Sequence, residues 1–299
     1  MGGFLYWWQN LPERMDPILF SFGSFRVQWY GMMYILAYTT VYLLARFRTR
    51  REERFRSMDD EFLKNILTWA FIGTLAGGRL GYVLFYNLPY YLDHPLEIIL
   101  PFRSGAGGLR FTGISGMSYH GGIIGIFVAC AWFCHRYKTN FWNLCDLFAP
   151  IAALAYTFGR LGNFINGELY GRVTEAAIGM RFPESPDPSL LRHPSQLYEG
   201  FFEGIVLGTA LLMLRKAPLP KGAMMALYLF GYGLARFCIE WFREPDAHLG
   251  FVFLRFSMGQ MLCFVMMVAG AGLYAYLTGR ERREASRPPA AVAAPRPQP

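Results

Sequence analysis

Apolar residues in this chain gather into seven runs, at 27–46, 66–86, 117–135, 147–165, 199–214, 223–242 and 258–277. Each is about 16–21 residues long, near the length at which a helix crosses a hydrocarbon core of roughly 30 Å. In lipid every backbone polar group must be paired within the chain, so each run predicts a helix. The fifth run is the shortest. The pattern predicts an all-α integral membrane protein with seven transmembrane helices.

Composition agrees, and charge adds an orientation. Hydrophobic residues make up 54% of the 299 and charged ones 17%, where a soluble domain has roughly 25% charged. A net charge of +8 would suit a nucleic-acid binder if it formed one patch. Instead seventeen of the 29 Lys and Arg fall on one side of the seven runs, among them Arg46–Arg56, Arg136, Lys138, Arg215, Lys216, Lys221 and Arg280–Arg283, against nine on the other. By the positive-inside rule the N-terminus is extracytoplasmic and the C-terminus cytoplasmic, which leaves no role for nucleic acid. The Arg46–Arg56 run reads as an orientation signal able to meet anionic headgroups. Glu13, Arg14 and Asp16 interrupt the N-terminal stretch, so it does not read as a cleavable signal peptide.

The segments 87–116 and 166–198 lie on the extracytoplasmic side. Pro89, Pro95 and Pro101 punctuate the first, which is glycine-rich from Gly105 to Gly116; Pro183, Pro186, Pro188 and Pro194 punctuate the second. Neither can hold a core of its own, and together they predict a small cap of ordered loops. Residues 1–280 read as one membrane domain. The remainder, 281–299, reads as a disordered cytoplasmic tail rich in Ala, Pro and Arg. The five cysteines (Cys130, Cys134, Cys145, Cys238, Cys263) lie in or beside apolar runs without metal-ligand spacing, and read as buried small hydrophobes.

Ionisable residues inside apolar runs are costly and point to function. Arg79, His120, Arg160 with Asn163, Glu199 with Glu203, Arg236 with Glu240, and Gln260 all fall toward the extracytoplasmic ends of their runs, and Tyr30 opens the first. Some can satisfy each other: Arg236 and Glu240 are spaced i,i+4, and Arg79 could pair with Glu203. Three arginines facing fewer nearby carboxylates still leave cations in want of an anion. A lipid phosphate would supply one, and the planar guanidinium fork binds it bidentately.

The densest motif is Gly159-Arg160-Leu161-Gly162-Asn163-Phe164-Ile165-Asn166-Gly167-Glu168, continued by Tyr170-Gly171-Arg172. Spacing alone would allow a tightly packed helix end. The motif resembles the signature of the bacterial prolipoprotein diacylglyceryl transferase family. So do Trp29-Tyr30-Gly31, Gly77-Gly78-Arg79, His120-Gly121-Gly122, His193-Pro194-Ser195-Gln196-Leu197-Tyr198-Glu199, and Tyr232, Arg236, Glu240 and Arg243. These matches run in order from Asp16 to Gly279. Two stretches depart from the pattern: 100–120 looks longer than usual, and 166–198 shorter than in some members.

The resemblance implies a seven-span enzyme of the bacterial inner membrane, with its active site on the extracytoplasmic side. Its substrates would be phosphatidylglycerol and the lipobox cysteine in the signal peptide of a prolipoprotein, its product a thioether-linked diacylglyceryl group, and its by-product glycerol 1-phosphate. No metal, nucleotide or other cofactor is implied, and no oligomeric state. The catalytic residues it implies are His120, Arg160 and Arg236; substrate binding falls to Tyr30, Arg79, Asn163, Glu168, Gly171, Tyr232, Glu240 and Arg243. His120 would serve as general base toward the thiol, and the arginines would hold the phosphate. The bland reading of His120 is a structural histidine at a glycine-rich helix start.

Two rival readings stay open. Gly113-Ile114-Ser115-Gly116 has the form used by intramembrane serine proteases, but those draw a histidine from a later membrane helix. A phospholipid flippase or transporter would also place arginines in the membrane, though it needs a polar path to both faces.

Overall fold

The computed structural model describes residues 2–23, 25–100, 102–105, 108–111, 116–244, 251–253 and 256–286. A helix covers each of the seven apolar runs. The helices are α1 (Gly2–Gln9), α2 (Trp29–Arg51), α3 (Asp60–Tyr86), α4 (Leu88–Asp93), α5 (Tyr119–Arg136) and α6 (Phe141–Ile165), followed by α7 (Ser195–Glu199), α8 (Leu207–Met213), α9 (Ala223–Ile239) and α10 (Met258–Ala285). A π-helical segment, Gly200–Val206, joins α7 to α8. Antiparallel hairpins pair β1 (Ile18–Phe22) with β2 (Phe25–Gln28), β3 (Phe102–Gly105) with β4 (Gly108–Phe111), and β5 (Phe251–Phe253) with β6 (Phe256–Ser257).

Among the described residues three helices are long and apolar enough to cross a membrane: Phe141–Ile165, Ser195–Lys216 and Met258–Ala285. Large apolar side chains stand outward, with Phe85 at 78% and Met213 at 79% exposure. In water such surface would drive association, whereas hydrocarbon solvates it. Cys238 is exposed on α9 rather than buried, so it does not act as core filling. The chain divides, within α2 and α6, into two compact units: Tyr42–Leu147, and Met1–Val41 with Phe148–Pro299.

In the Tyr42–Leu147 unit, α3 starts at an Asp59 cap whose carboxylate accepts the Phe62 N–H at 2.8 Å. It packs on α5 through facing glycines. A Cβ at Gly73 would stand 2.6 Å from the Gly125 carbonyl oxygen, and one at Gly81 2.8 Å from Gly121 Cα. Small residues at every fourth position let the two backbones touch. The same unit buries Arg48, which is 2% exposed. Its Nη1 donates to the carbonyls of Asp146 at 2.9 Å and Leu147 at 2.5 Å, while Nε and Nη2 fork onto Glu52 at 2.7 and 2.8 Å. Pro150 lies inside α6 and has no N–H for the Asp146 carbonyl four residues back, so the arginine satisfies what the proline leaves open. The fully buried Asp146 carboxylate pairs with Arg54. Arg48 is therefore an interior residue and Arg54 is half-buried against Asp146, so neither is a free basic flank.

In the other unit, Phe164, Met180 and Phe182 form a core packed by Trp8, Leu11, Met15, Tyr170 and Leu197. This core ties α1 to the 166–194 segment, with the Arg181 N–H donating to the Gln9 carbonyl at 2.8 Å. Ser257 and Gln260 form a capping box at the start of α10. That helix runs to Ala285, past the expected boundary at 280, supported by an Arg280–Glu284 pair at 2.7 Å. Residues 287–299 of the expected tail lie outside the described residues, as do residues 113–115 of the protease-like motif.

Candidate active site

Glu199 ends α7 with its side chain fully buried. Three guanidiniums meet it. Arg160 Nε, from α6, lies 2.8 Å from Oε2; Arg236 Nη1, from α9, lies 3.0 Å from Oε1; Arg243 Nη1, from the chain just beyond α9, lies 2.8 Å from Oε1. The Arg236 contact is close, but its N–H is not well aligned for a hydrogen bond. Two further carboxylates flank the group. Glu203 Oε1 is 3.8 Å from Arg236 Nη1, and Glu240 Oε2 is 3.3 Å from Arg236 Nη2 and 3.6 Å from Arg243 Nε. Ser257 Oγ donates to Glu240 Oε1 at 3.0 Å. The three arginines keep 15–17% side-chain exposure while Glu199 and Glu203 have none.

Arg160 is fixed from a second side. Its Nε donates to Tyr156 Oη at 2.6 Å, its guanidinium lies 4.7 Å from the centre of the Tyr156 ring, and its Nη1 donates to Asn163 Oδ1 at 3.3 Å. Tyr156 meets Tyr232 edge-on, and Asn163 Nδ2 donates to Glu168 Oε1 at 2.8 Å. Glu168 sits on a turn whose neighbours Gly167 and Leu169 both have positive φ, +69° and +60°. For leucine that conformation is strained. Ser195 and Gln196 hold it by donating to the carbonyls of Leu169 at 3.0 Å and Glu168 at 2.6 Å.

The motif glycines serve close approach. A Cβ at Gly162 would stand 2.8 Å from the Tyr30 ring, and one at Gly171 2.9 Å from His193 Cβ. Gly171 also bridges Arg243 through its backbone, so it secures the segment that carries that arginine. Tyr30 Oη lies 3.2 Å from Tyr34 Oη.

Of the residues expected at the site, Tyr30, Arg160, Asn163, Glu168, Gly171, Tyr232, Arg236, Glu240 and Arg243 thus share one unit. Arg79 and His120 belong to the Tyr42–Leu147 unit. The Arg79 fork donates to the carbonyls of Ile98 at 2.8 Å, Glu97 at 2.5 Å and Gly116 at 3.3 Å, over the Tyr91 ring. His120 is exposed on the first turn of α5, edge-on to Tyr119, beside the Ser118 cap. The expected excess of cations is corrected: Arg79 lies in the other unit, Arg243 stands beside Arg160 and Arg236, and these three arginines have three carboxylates near them, Glu199, Glu203 and Glu240. Glu199 and Glu203 stand among the polar groups noted in the apolar runs but were given no role at the site, and Tyr156 was missed. The signal was present as two glutamates spaced i,i+4 at the head of an apolar run.

Fold and cluster together define a helical membrane protein that buries guanidiniums around shared carboxylates. Residues 17–276 match the sequence profile of the prolipoprotein diacylglyceryl transferase family. The chain is 54% identical over 274 residues to the phosphatidylglycerol–prolipoprotein diacylglyceryl transferase of Chlorobaculum tepidum, covering 91% of this chain and 93% of the relative. Proteins of the same name from Campylobacter jejuni and Bordetella parapertussis are 42% and 43% identical, over 89% and 88% of this chain and 95% of each relative. The chain belongs to the prolipoprotein diacylglyceryl transferase family.

Proposed function

We infer that the chain transfers the sn-1,2-diacylglyceryl group of phosphatidylglycerol to the thiol of a prolipoprotein's lipobox cysteine, the first step of lipoprotein maturation. The thiolate sulfur attacks the glyceryl carbon that bears the phosphate. A C–S bond forms, the C–O bond breaks, and glycerol 1-phosphate leaves with the bonding pair. His120, exposed at a helix start, takes the thiol proton. Arg160 and Arg236 hold the phosphate and stabilise charge building on the leaving oxygen. Arg243 and Glu240 complete the cradle, Asn163 and Glu168 orient Arg160, and Tyr30 and Tyr232 flank the lipid. Arg79 holds the 95–98 turn and the entry to α5.

The seven helices over the seven apolar runs support a seven-span arrangement, with the N-terminus and a small cap formed by 87–116 and 166–198 outside. Basic residues at 46–56 and 280–283 support a cytoplasmic C-terminus in a bacterial inner membrane. On this reading residues 1–280 act as one catalytic domain. The observation that carries the function is the convergence of three guanidiniums on one buried carboxylate in a chain of this family. The test is to incubate purified protein with phosphatidylglycerol and a lipobox peptide. A peptide mass increased by one diacylglyceryl group is expected; an unchanged mass alongside an active relative refutes the reading.

A further inference from the structure

We propose that Glu199 is a positioning residue: it gathers the guanidiniums of Arg160, Arg236 and Arg243 as a stand-in for the lipid phosphate and cedes part of them when the headgroup arrives. This rests on the function proposed above and deepens it. The arginines come from α6, α9 and the chain beyond α9, so nothing local holds their like charges together. A carboxylate does so because its two oxygens accept guanidinium forks much as two phosphate oxygens do. Glu199 divides its oxygens between them, Oε2 to Arg160 and Oε1 to Arg236 and Arg243.

The backbone around Glu199 supports that role. It immediately precedes the π-helical segment, a widened turn that re-aims the side chains on either side of it. A Cβ at Gly200 would lie 3.4 Å from Arg160 Cβ, and Thr157 Oγ1 donates to the Gly200 carbonyl at 3.0 Å. The glycine thus brings the carboxylate against α6.

Geometry makes exchange the way in. The guanidinium nitrogens nearest Glu199 already stand against its oxygens at 2.8–3.0 Å, while Glu203 lies 3.8 Å from Arg236 with neither oxygen in a well-formed hydrogen bond. A phosphodiester that takes these nitrogens displaces an existing pair. The poorly aligned Arg236–Glu199 contact is the one placed to yield, while Arg160 stays braced by Tyr156.

The test is steady-state transfer in mixed micelles with E199Q and E199D. Glutamine removes the competing charge but leaves an amide N–H2 facing a guanidinium. E199Q should lower KM for phosphatidylglycerol about threefold or more and lower kcat about tenfold or more. E199D keeps the charge on a shorter arm and should lower kcat with KM within about twofold. Parental kcat in either variant, or a raised KM in E199Q, overturns the proposal. If E199Q does not fold, E199D alone decides on the same criterion. Native mass spectrometry provides an arm independent of turnover: E199Q should retain more phosphatidylglycerol relative to phosphatidylcholine than the parent. If the parent protein transfers nothing, the functional reading fails while lipid retention still decides the role of Glu199, unchanged retention overturning it.

Discussion

Arg48 and Arg160 are both buried arginines on long helices, yet their surroundings differ in kind. In the Tyr42–Leu147 unit, Arg48 gives one nitrogen to two backbone carbonyls and the other two to a single glutamate. Nothing there is shared, and Arg48 is 2% exposed. In the other unit one carboxylate serves Arg160, Arg236 and Arg243, each keeping about a sixth of its side chain exposed. Arg236 Nη1 and Glu240 Oε2 are buried without well-aligned hydrogen bonds. A cluster that satisfies every member specifies structure. One that shares its central anion among several cations can exchange part of that pairing for another anion.

Making the same substitution at both places sharpens this contrast. Arg160→Lys should cut transfer about 10³-fold, because an ammonium cannot replace the fork at a developing phosphate charge; thermal unfolding in detergent should stay near the parent. Arg48→Lys should destabilise by about 2–3 kcal/mol through its lost carbonyl bonds. Its transfer per folded molecule should stay within about twofold of the parent. Reversal of these two outcomes would break the comparison. Gly77→Ala probes the packing that supports the Arg48 unit, since its Cβ would meet Gly125 Cα at 2.6 Å. A loss of about 1–3 kcal/mol is expected in the same unfolding assay.

The smallest effect concerns His193, whose imidazole burial holds below its ordinary value. The fold favours the neutral ring, so the unfolded chain binds the proton more readily. Stability should fall as pH drops through about 6.5 and stop falling below the folded value. His193→Gln should flatten the unfolding-temperature profile there by about 1 °C.

The long helices were legible because an apolar run that meets hydrocarbon must pair its own backbone; three of them are long and apolar enough to cross a membrane among the described residues. The site was legible in part because its residues sit where apolar runs turn polar. Arg48 was not, since within Arg46–Arg51 it looks like any cytoplasmic basic flank; only Pro150, far along the chain, explains its burial. Glu199 was in view, but its central role was not. It reads as the end of a helix-start motif, and its importance depends on partners 39, 37 and 44 residues away, from Arg160, Arg236 and Arg243 respectively. Helix α1 and the β1–β2 hairpin escaped notice because short elements carry little periodicity. The N-terminal helix is held by Trp8 against a core assembled from the 164–182 stretch.

The proline in α6 also orders events in time. Arg48 is made 98 residues before the Asp146 carbonyl it must reach, which at about 5–20 residues per second is a delay of about 5–20 s. During that interval the guanidinium can already fork onto Glu52 at the end of α2, but its remaining nitrogen has no carbonyl to reach. Only when α6 emerges is the set complete, so the Tyr42–Leu147 unit closes after synthesis has passed residue 147 and not before.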